Sequence, residues 1–421
     1  MTRRLELMPG VYLTAARTDR FKTGFFSVNF LCPLNRQEAS ANAMLPSVLL
    51  QGTCRYPDMR SLSLAMEELY GAEIGSSVRK KGEAQTIGLF ADHIEDAMVG
   101  GAPVFSGVVD LTAEILLHPA VEGGAFRADD VSLEKENLRN AIQSRINGKR
   151  SYAVGQMIKT MFPDEPYGVL RLGEEEDVDG ITPESLYRRY QAMLRTSRVE
   201  ICYLGRRHAD EVAEAFRAAL RELPRREITP VGTTPAAGTG QVREKEERLD
   251  VTQGKLCMGF RLGRTAADSN WPAMMVMNTV FGSGVTSKLF ANVREKLSLC
   301  YYASSSLEKF KGVMVVDSGI EFDKAAVARR EILRQLEDCQ AGRITDEEMA
   351  AAKKHLLSSW KAAMDSPVQM DEFYLGQAIL NSSDDMEDVM AGIAAVETPD
   401  AAEAARDVTL DTVYFLKGLA T

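Results

Sequence analysis

The chain has 421 residues, of which 45% are hydrophobic and 26% are charged, and its net charge is −10. Because a typical single-core domain has roughly 100 to 200 residues, this length and composition indicate a globular protein of two or more domains. The acidic balance gives no electrostatic reason to bind nucleic acid or an anionic membrane. The chain contains no run of about 18 apolar residues, so the sequence predicts no membrane-spanning helix.

Strand-like and helix-like segments alternate irregularly through the first half of the chain. Strand-like runs cover 24–31 and 86–90, and Asp58 is placed to cap a helix between them. A later helix begins at Thr182 with a proline in its first turn, and a strand-like run over 199–204 follows it. Mixed elements without strict strand–helix–strand alternation favour an α+β fold over a doubly wound sheet.

The second half closes with the same order of elements as the first. Strand-like runs cover 255–262 and 312–320, and Thr345 forms a capping box with Glu348. The chain then ends with a second threonine–proline helix start and a strand-like run over 413–416. This repeated order predicts an internal duplication.

A segment rich in proline, glycine and small residues separates the two halves. It begins near Leu223 and ends at Asp250, and it lacks the periodicity of a helix or a strand. The sequence therefore predicts an N-terminal domain over 1–226, a linker over 227–250 and a C-terminal domain over 251–421.

Residues that often carry chemistry are scattered along the chain. No two cysteines form a C-x-x-C pair, and no two histidines have metal-binding spacing. Widely spaced cysteines predict buried, reduced thiols, and with no apolar leader in residues 1–20 they indicate a cytoplasmic protein. These residues are Cys32, Cys54, Cys202, Cys257, Cys300 and Cys339, and His93, His118, His208 and His355.

One stretch of the second half carries several unlike residues at fixed spacing. Gly282 and Gly284 form a Gly-x-Gly turn before a Ser-x-Leu-Phe helix start, and Arg294 is followed seven residues later by Tyr301. This pattern resembles the second-domain signature of the insulinase, pitrilysin and mitochondrial processing peptidase family of metallopeptidases. The alternative is an ordinary turn followed by an amphipathic helix.

The resemblance covers nearly the whole chain and implies both a fold and a site. The fold is two tandem homologous α/β sandwich domains of the LuxS/metalloenzyme-like type, which close around a peptide as a clamshell. The resemblance also implies that Arg294, Tyr301, Gly282 and Gly284 bind substrate, because in the family the arginine and tyrosine help to hold the peptide. A guanidinium can bind a carbonyl or carboxylate through two donors, and a tyrosine hydroxyl can stabilise an oxyanion. The alternative is that Arg294 pairs with a nearby glutamate and Tyr301 belongs to the core.

The first half departs from the family where the metal site is expected. Active members carry His-x-x-Glu-His before an apolar run that ends in Gly-Thr, and here that run ends at 52–53. Counting back places Ala43 and Ser47 at the histidine positions and Pro46 at the glutamate, and none of them can bind zinc or accept a proton from metal-bound water. Glu134 is the candidate for the remaining ligand, but alone it reads as part of a solvated helix face. Pro46 is also expected to start or kink its helix.

These observations predict no metal and no cofactor in this chain, with zinc only in a partner. They place it in the zinc-less branch of the family, similar to a bacterial subfamily associated with aminopentanol modification of elongation factor P. The leading hypothesis is a non-catalytic subunit that binds peptide and completes the active site of a zinc-bearing homologue. The predicted partner is either that homologue, in a heterodimer, or a second copy of this chain, in a homodimer. The competing hypothesis is a peptide-binding or scaffold protein without proteolysis. An enzyme with a different metal or nucleophile is a third possibility, and no residue cluster supports it.

Overall fold

The computed structural model describes residues 2–236, 238 and 240–419. These residues form two compact units, and neither unit is one continuous piece of chain. Unit 1 comprises 2–143, 169–232 and 365–381, and unit 2 comprises 144–168, the described part of 233–364, and 382–419.

The strands of the described residues are short to medium in length and fall in both halves of the chain. In chain order they are β1 Thr2–Met8, β2 Val11–Arg17, β3 Thr23–Pro33, β4 Glu73–Lys81, β5 Ala84–Ile94, β6 Val121–Glu122, β7 Ala125–Phe126, β8 Arg198–Gly205, β9 Arg243–Leu249, β10 Gly254–Arg261, β11 Cys300–Glu308, β12 Val313–Ile320 and β13 Thr409–Gly418.

The helices lie between these strands. In chain order they are α1 Arg36–Leu49, α2 Met59–Glu68, α3 Val104–Leu117, α4 Ala128–Gln143, α5 Lys149–Met161, α6 Glu175–Val178, α7 Pro183–Thr196, α8 Ala209–Ala219, α9 Trp271–Phe281, α10 Ala325–Gln340, α11 Asp346–Ala363, α12 Pro367–Leu380, α13 Met386–Ala395 and α14 Thr398–Arg406. A π-helix, Leu289–Lys296, lies between α9 and α10. Short 3₁₀ turns cover Asp96–Val99, Ser144–Asn147, Pro166–Gly168 and Phe322–Lys324.

Each unit is built on one mixed sheet, and the two sheets have the same strand order. The order is β1-β2-β8-β3-β5-β4 in unit 1 and β9-β13-β10-β12-β11 in unit 2. In both sheets the first strand of the repeat pairs in parallel with the last, β2 with β8 and β9 with β13. The other neighbours are antiparallel. Apart from β1, every strand of the larger sheet in unit 1 has a counterpart in unit 2, and of the other described strands only the short pair β6-β7 lies outside this repeat, so the α+β fold and the duplication are confirmed.

One helix of each half belongs to the unit built mainly from the other half. Helix α5 packs on the sheet of unit 2, where Met157 and Met161 share a core with Cys257 and Val313. Helix α12 belongs to unit 1, where Arg198 of β8 donates to the carbonyl of Ala378 at 2.7 Å. The periodicity of a helix predicts which face is buried, but not which sheet that face will cover.

The predicted division into contiguous domains therefore differs from the units in two places. Blocks 1–226 and 251–421 each contain a helix of the opposite unit. The predicted linker 227–250 contains β9, which pairs with β13 along the edge of the second sheet. Its charged sequence has no apolar alternation because an edge strand is largely exposed on both faces.

Local capping signals placed several helices correctly. Asp58 caps α2, Thr182 caps α7, and Thr345 caps α11 through a capping box with Glu348. Buried apolar side chains form one core cluster in unit 1 and two in unit 2. None of the described helices is long and apolar enough to span a membrane.

Candidate functional site

The degenerate zinc-motif positions Ala43, Pro46 and Ser47 lie on α1, in unit 1. Asn35 caps this helix by accepting the backbone N–H of Glu38 at 2.9 Å, so the helix begins at Arg36 and continues to Leu49. Pro46 lies inside it, and the expectation that the helix starts at Pro46 is wrong. An interior proline costs about 3 kcal/mol, but the cap and the burial of α1 in the core stabilise the longer helix.

The degenerate zinc-motif positions lie in or next to a hydrogen-bonded protein interior. Ala43 and Pro46 are buried and Ser47 is half-buried. One turn beyond Ser47, the side-chain amide of Gln51 donates to Glu134 Oε1 at 2.7 Å. Glu134 lies on α4 and is buried, so its interpretation as part of a solvated helix face is wrong. A protein amide thus binds the carboxylate that would have faced a metal.

These residues do not fit zinc. Alanine offers no ligand atom, Ser47 offers only a neutral hydroxyl, and Glu134 is also bonded to Asn137 at 3.2 Å. Across the described part of the chain, no three His, Cys, Asp or Glu residues are grouped so as to hold a metal ion. The histidines occupy unrelated surroundings: His93 is buried, His118 lies 3.8 Å from Glu222, and His208 and His355 are exposed.

The second predicted site lies in unit 2, at one edge of its sheet. Arg294 is in the π-helix, and Tyr301 is near the start of β11, which is an edge strand. The pairing of β11 with β12 slips by one residue between Cys300 and Tyr302, which makes Tyr301 the extra residue of a β-bulge. A bulge redirects a side chain, and Tyr301 is 61% exposed. The alternative that Tyr301 belongs to the core is wrong.

Arg294 and Tyr301 line one cleft of about 340 Å³, and the other residues lining it are Glu295, Ser298, Leu299, Cys300 and Glu321. The Arg294 side chain is 41% exposed, with Nε 3.5 Å from Glu295 Oε1 and Cζ 4.6 Å from the centre of the Phe290 ring. The alternative that Arg294 pairs with a local glutamate is therefore confirmed. An exposed pair of this kind contributes about 0–1 kcal/mol, so a peptide group can displace it at little cost.

The charges around this cleft are paired, and burial disfavours the charged form of its thiol. Lys324 lies 2.9 Å from Glu321, as Arg294 lies close to Glu295. Burial raises the pKa of the Cys300 thiol to about 11, although the nearby Arg294 acts in the opposite direction. The thiol is therefore protonated near neutral pH and cannot supply the thiolate that covalent catalysis needs.

The two glycines of the motif have different structural roles. A Cβ at Gly282 would lie 2.5 Å from Ser305 Oγ and 2.7 Å from Leu289 Cδ1, so close packing against β11 and the π-helix requires glycine there. A Cβ at Gly284 would meet only His355, at 3.8 Å. Neither glycine lines the cleft, and their part in substrate binding stays a prediction.

All six cysteines are free thiols. Four are buried, as expected, but Cys54 is exposed and Cys300 is half-buried, so the expectation of buried thiols is wrong for these two. Wide spacing along the sequence argues against local metal-binding or redox pairs, but it carries no information on the depth of each residue.

Sequence reasoning also missed the two backbone irregularities that shape the cleft. These are the π-helix that carries Arg294 and the bulge at Tyr301. Between these two irregularities the backbone turns at Ser298, a residue with a positive φ of 48°. Such a residue marks a forced turn, but it does not identify the irregularity on either side.

Comparisons with known proteins agree with this geometry. Residues 180–356 match the family described as the peptidase M16 inactive domain. A probable inactive metalloprotease, YmfF of Bacillus subtilis (strain 168), is 33% identical over 411 residues, which are 97% of this chain and 96% of that protein. A conserved protein from Enterococcus faecalis V583 has a similar structure, with a TM-score of 0.92 and 30% identity, over 100% of this chain and 99% of that one.

A more distant relative is described as a zinc protease. Mb2805c of Mycobacterium bovis, an uncharacterized zinc protease, is 26% identical over 280 residues, which are 65% of this chain and 62% of that protein. The relatives of the chain thus include proteins described as zinc proteases and one described as inactive.

Proposed function

The chain belongs to the peptidase M16 family as an inactive peptidase homologue, and we propose that it is the subunit that holds peptide substrate for a zinc-bearing relative. The observation that carries the proposal is the contrast between its two candidate sites. The α1 position offers no metal ligands, whereas Arg294 and Tyr301 are exposed and line one cleft. A chain of this kind can bind a peptide but needs another protein to cleave it.

The two side chains suit the recognition of an extended peptide. A guanidinium presents several donors in a fixed plane, which fit a peptide carbonyl or a terminal carboxylate. The Tyr301 hydroxyl adds a donor, and its ring, with Leu299, adds an apolar wall to the cleft. Neither group needs a metal for this role.

The proposed partner is a relative that carries an intact His-x-x-Glu-His segment. A zinc ion in that partner would activate the attacking water, which the residues of this chain cannot do. The existence of relatives described as inactive and as zinc proteases supports a division of labour between two chains.

Co-expression of the chain with a zinc-bearing relative from the same organism tests this proposal. Complex formation is measured by light scattering, and cleavage is measured with labelled, reduced and carboxymethylated α-lactalbumin as an unfolded substrate. We expect Arg294→Ala to lower kcat/KM of the complex about tenfold or more, which corresponds to about 1.4 kcal/mol of transition-state stabilisation. Tyr301→Phe should have a smaller effect in the same direction.

Two matched control variants distinguish an effect at the cleft from a general effect of changing an exposed side chain. Arg343→Ala removes an arginine of unit 2 whose side chain is 62% exposed, and Tyr70→Phe removes the hydroxyl of a tyrosine that is 57% exposed. Both controls should leave cleavage unchanged. Full activity of the Arg294 and Tyr301 variants would contradict the subunit role.

Binding without cleavage defines the alternative function. If the chain binds the labelled α-lactalbumin by fluorescence anisotropy but no partner supports its cleavage, the protein is a peptide-binding or scaffold protein. If the chain forms only a homodimer by light scattering, the proposed heterodimer is wrong.

A further inference from the structure

The π-helix that carries Arg294 is an unusual element in an exposed position. The N–H of Leu297 donates to the carbonyl of Asn292, five residues earlier, at 3.2 Å, and the N–H of Leu299 donates to the carbonyl of Val293, six residues earlier, at 3.0 Å. Helical hydrogen bonds with a spacing of five residues are rare, and an ordinary helix uses a spacing of four residues. The π-helix therefore needs support from the structure around it.

Helix α10 supplies one such support through a buried glutamine. The side-chain amide of Asn292 donates to Gln335 Oε1 at 3.0 Å, and the amide of Gln335 donates to Glu331 Oε1 at 2.6 Å. Gln335 is fully buried, so an unpaired amide there would be costly. The same residue, Asn292, thus fixes the π-helix through its side chain and accepts the π-type bond through its carbonyl.

Helix α11 supplies a second support at the start of the π-helix. The ammonium group of Lys288 donates to Glu348 Oε1 at 2.8 Å, while Glu348 Oε2 accepts the backbone N–H of Thr345 at 2.9 Å. Lys288 is buried, which makes this pair part of the packed interior. The segment is therefore held just before its first residue and near its middle, and Arg294 lies two residues after the second point.

We propose that Gln335 is a positioning residue for Arg294: through Asn292 it holds the π-helix in the register that brings the guanidinium to the cleft beside Tyr301. The inference rests on the proposed function for the role of Arg294 in peptide binding. A return to four-residue spacing would rotate the side chains after Asn292 about the helix axis and move Arg294 away from the cleft.

Amide hydrogen exchange tests the positioning step directly. In Gln335→Leu we expect the amides of Leu297 and Leu299 to exchange about tenfold faster, because their acceptors lie in the loosened segment. The matched control is Gln340→Leu, which removes a glutamine of the same helix that donates to the carbonyls of Ala405 and Val408. Unchanged exchange in Gln335→Leu, or an equal increase in the control, would overturn the proposal.

Binding of labelled, reduced and carboxymethylated α-lactalbumin tests the link to Arg294. Gln335→Leu should raise Kd about three- to tenfold. In an Arg294→Ala background the same substitution should raise Kd no further, because both changes remove one interaction. Additive effects would indicate a general structural role and contradict the proposal.

A second variant covers the case in which Gln335→Leu does not fold. The outcomes also distinguish a failure of the proposed function from a failure of the positioning role. If Gln335→Leu does not fold, Asn292→Ala breaks the same contact from the half-buried side and carries the same expectations. If the wild-type chain does not bind the probe, or Arg294→Ala binds it normally, the proposed function fails. The exchange rates of Leu297 and Leu299 then still decide whether Gln335 holds the π-helix.

Discussion

The two units use the same sheet order but differ in the segment that leads into the matching edge strand. In unit 1 this segment is α2, and in unit 2 it is the π-helix. Both reach the edge strand through a residue with positive φ, Tyr70 at 60° and Ser298 at 48°. The two halves thus share a left-handed residue before the edge strand, although the helix that precedes it differs in type. The core of each unit depends on the strand order of its sheet, whereas a surface cleft can be present or absent on the same fold.

The helices that the two halves exchange show a second difference. In unit 1, α12 brings the fully buried Asp371 to the sheet, where Ser27 donates to it and Arg79 Nη1 lies 2.7 Å away. In unit 2, α5 covers its sheet mainly with apolar side chains, and its ion pair between Arg150 and Asp317 is partly open to solvent. Equivalent helices are thus held by buried charge in one unit and by apolar packing in the other.

The largest expected effect tests this contrast. Asp371→Ala should lower the free energy of unfolding by about 3 kcal/mol, because it removes the buried partner of a largely buried Arg79 and leaves only the more exposed Glu372, at 3.4 Å. Asp317→Ala should cost only about 1 kcal/mol, because the Arg150 side chain is 56% exposed and water can replace the pair. Urea unfolding followed by hydrogen exchange in each unit measures both values. Equal costs would remove the distinction between the helices.

Glycines that follow the first helix of each repeat provide the next test. A Cβ at Gly52 would lie 2.7 Å from the carbonyl oxygen of Pro57, and one at Gly282 would lie 2.5 Å from Ser305 Oγ. We expect Gly52→Ala and Gly282→Ala each to destabilise the protein by about 1–3 kcal/mol through overpacking. Gly284→Ala has room and should change stability by less than about 0.5 kcal/mol. Thermal unfolding of the three variants decides whether the two repeats share this constraint.

A smaller effect concerns alkaline pH in unit 2. Tyr152 of α5 and Tyr414 of β13 each donate to Glu247 at 2.7 Å. Burial, with the hydrogen bond to Glu247, raises the pKa of Tyr152 to about 12, and burial also raises the pKa of Tyr414. An unfolded tyrosine titrates near 10, so between pH 10 and 12 the unfolded chain binds fewer protons than the folded one. Stability should therefore fall as pH rises through this window.

The variant Tyr152→Phe isolates this contribution. Its unfolding free energy should fall less steeply between pH 10 and 12 than that of the wild type. Tyr301→Phe, at an exposed position, serves as the control and should follow the wild-type curve. The same slope in Tyr152→Phe and wild type would show that the bond to Glu247 does not contribute.

The smallest expected effect is that restoring two histidines does not produce stoichiometric zinc binding. The double variant Ala43→His and Ser47→His restores two ligands in unit 1, but Pro46 still replaces the catalytic carboxylate and Gln51 still binds Glu134. We expect less than stoichiometric zinc by elemental analysis and no zinc-dependent rise in Tm. One zinc ion per chain would contradict this, and it would mean that the loss of the metal site is confined to two side chains.

The sequence predicted the fold and the candidate site to different depths. Capping residues such as Asp58 and Thr345 fixed helix starts because capping is a contact within four residues. The family motif named Arg294 and Tyr301, which the structure places in the lining of one cleft, and their role in substrate binding stays a prediction. A helix start at Pro46 was one of two alternatives and is wrong, because α1 begins ten residues earlier, where Asn35 caps it and burial in the core offsets the local cost of proline.

What the sequence determined by itself was local or repeated: the helix caps, the strand runs, the duplication and the absence of ligands at Ala43 and Ser47. These features depend on residues that are neighbours along the chain. Only the tertiary structure decided which sheet α5 and α12 cover, that Gln51 binds Glu134, and that Gln335 supports the segment carrying Arg294. Each of these contacts joins elements distant in sequence, and no periodicity records the partner that a buried face or an amide will meet.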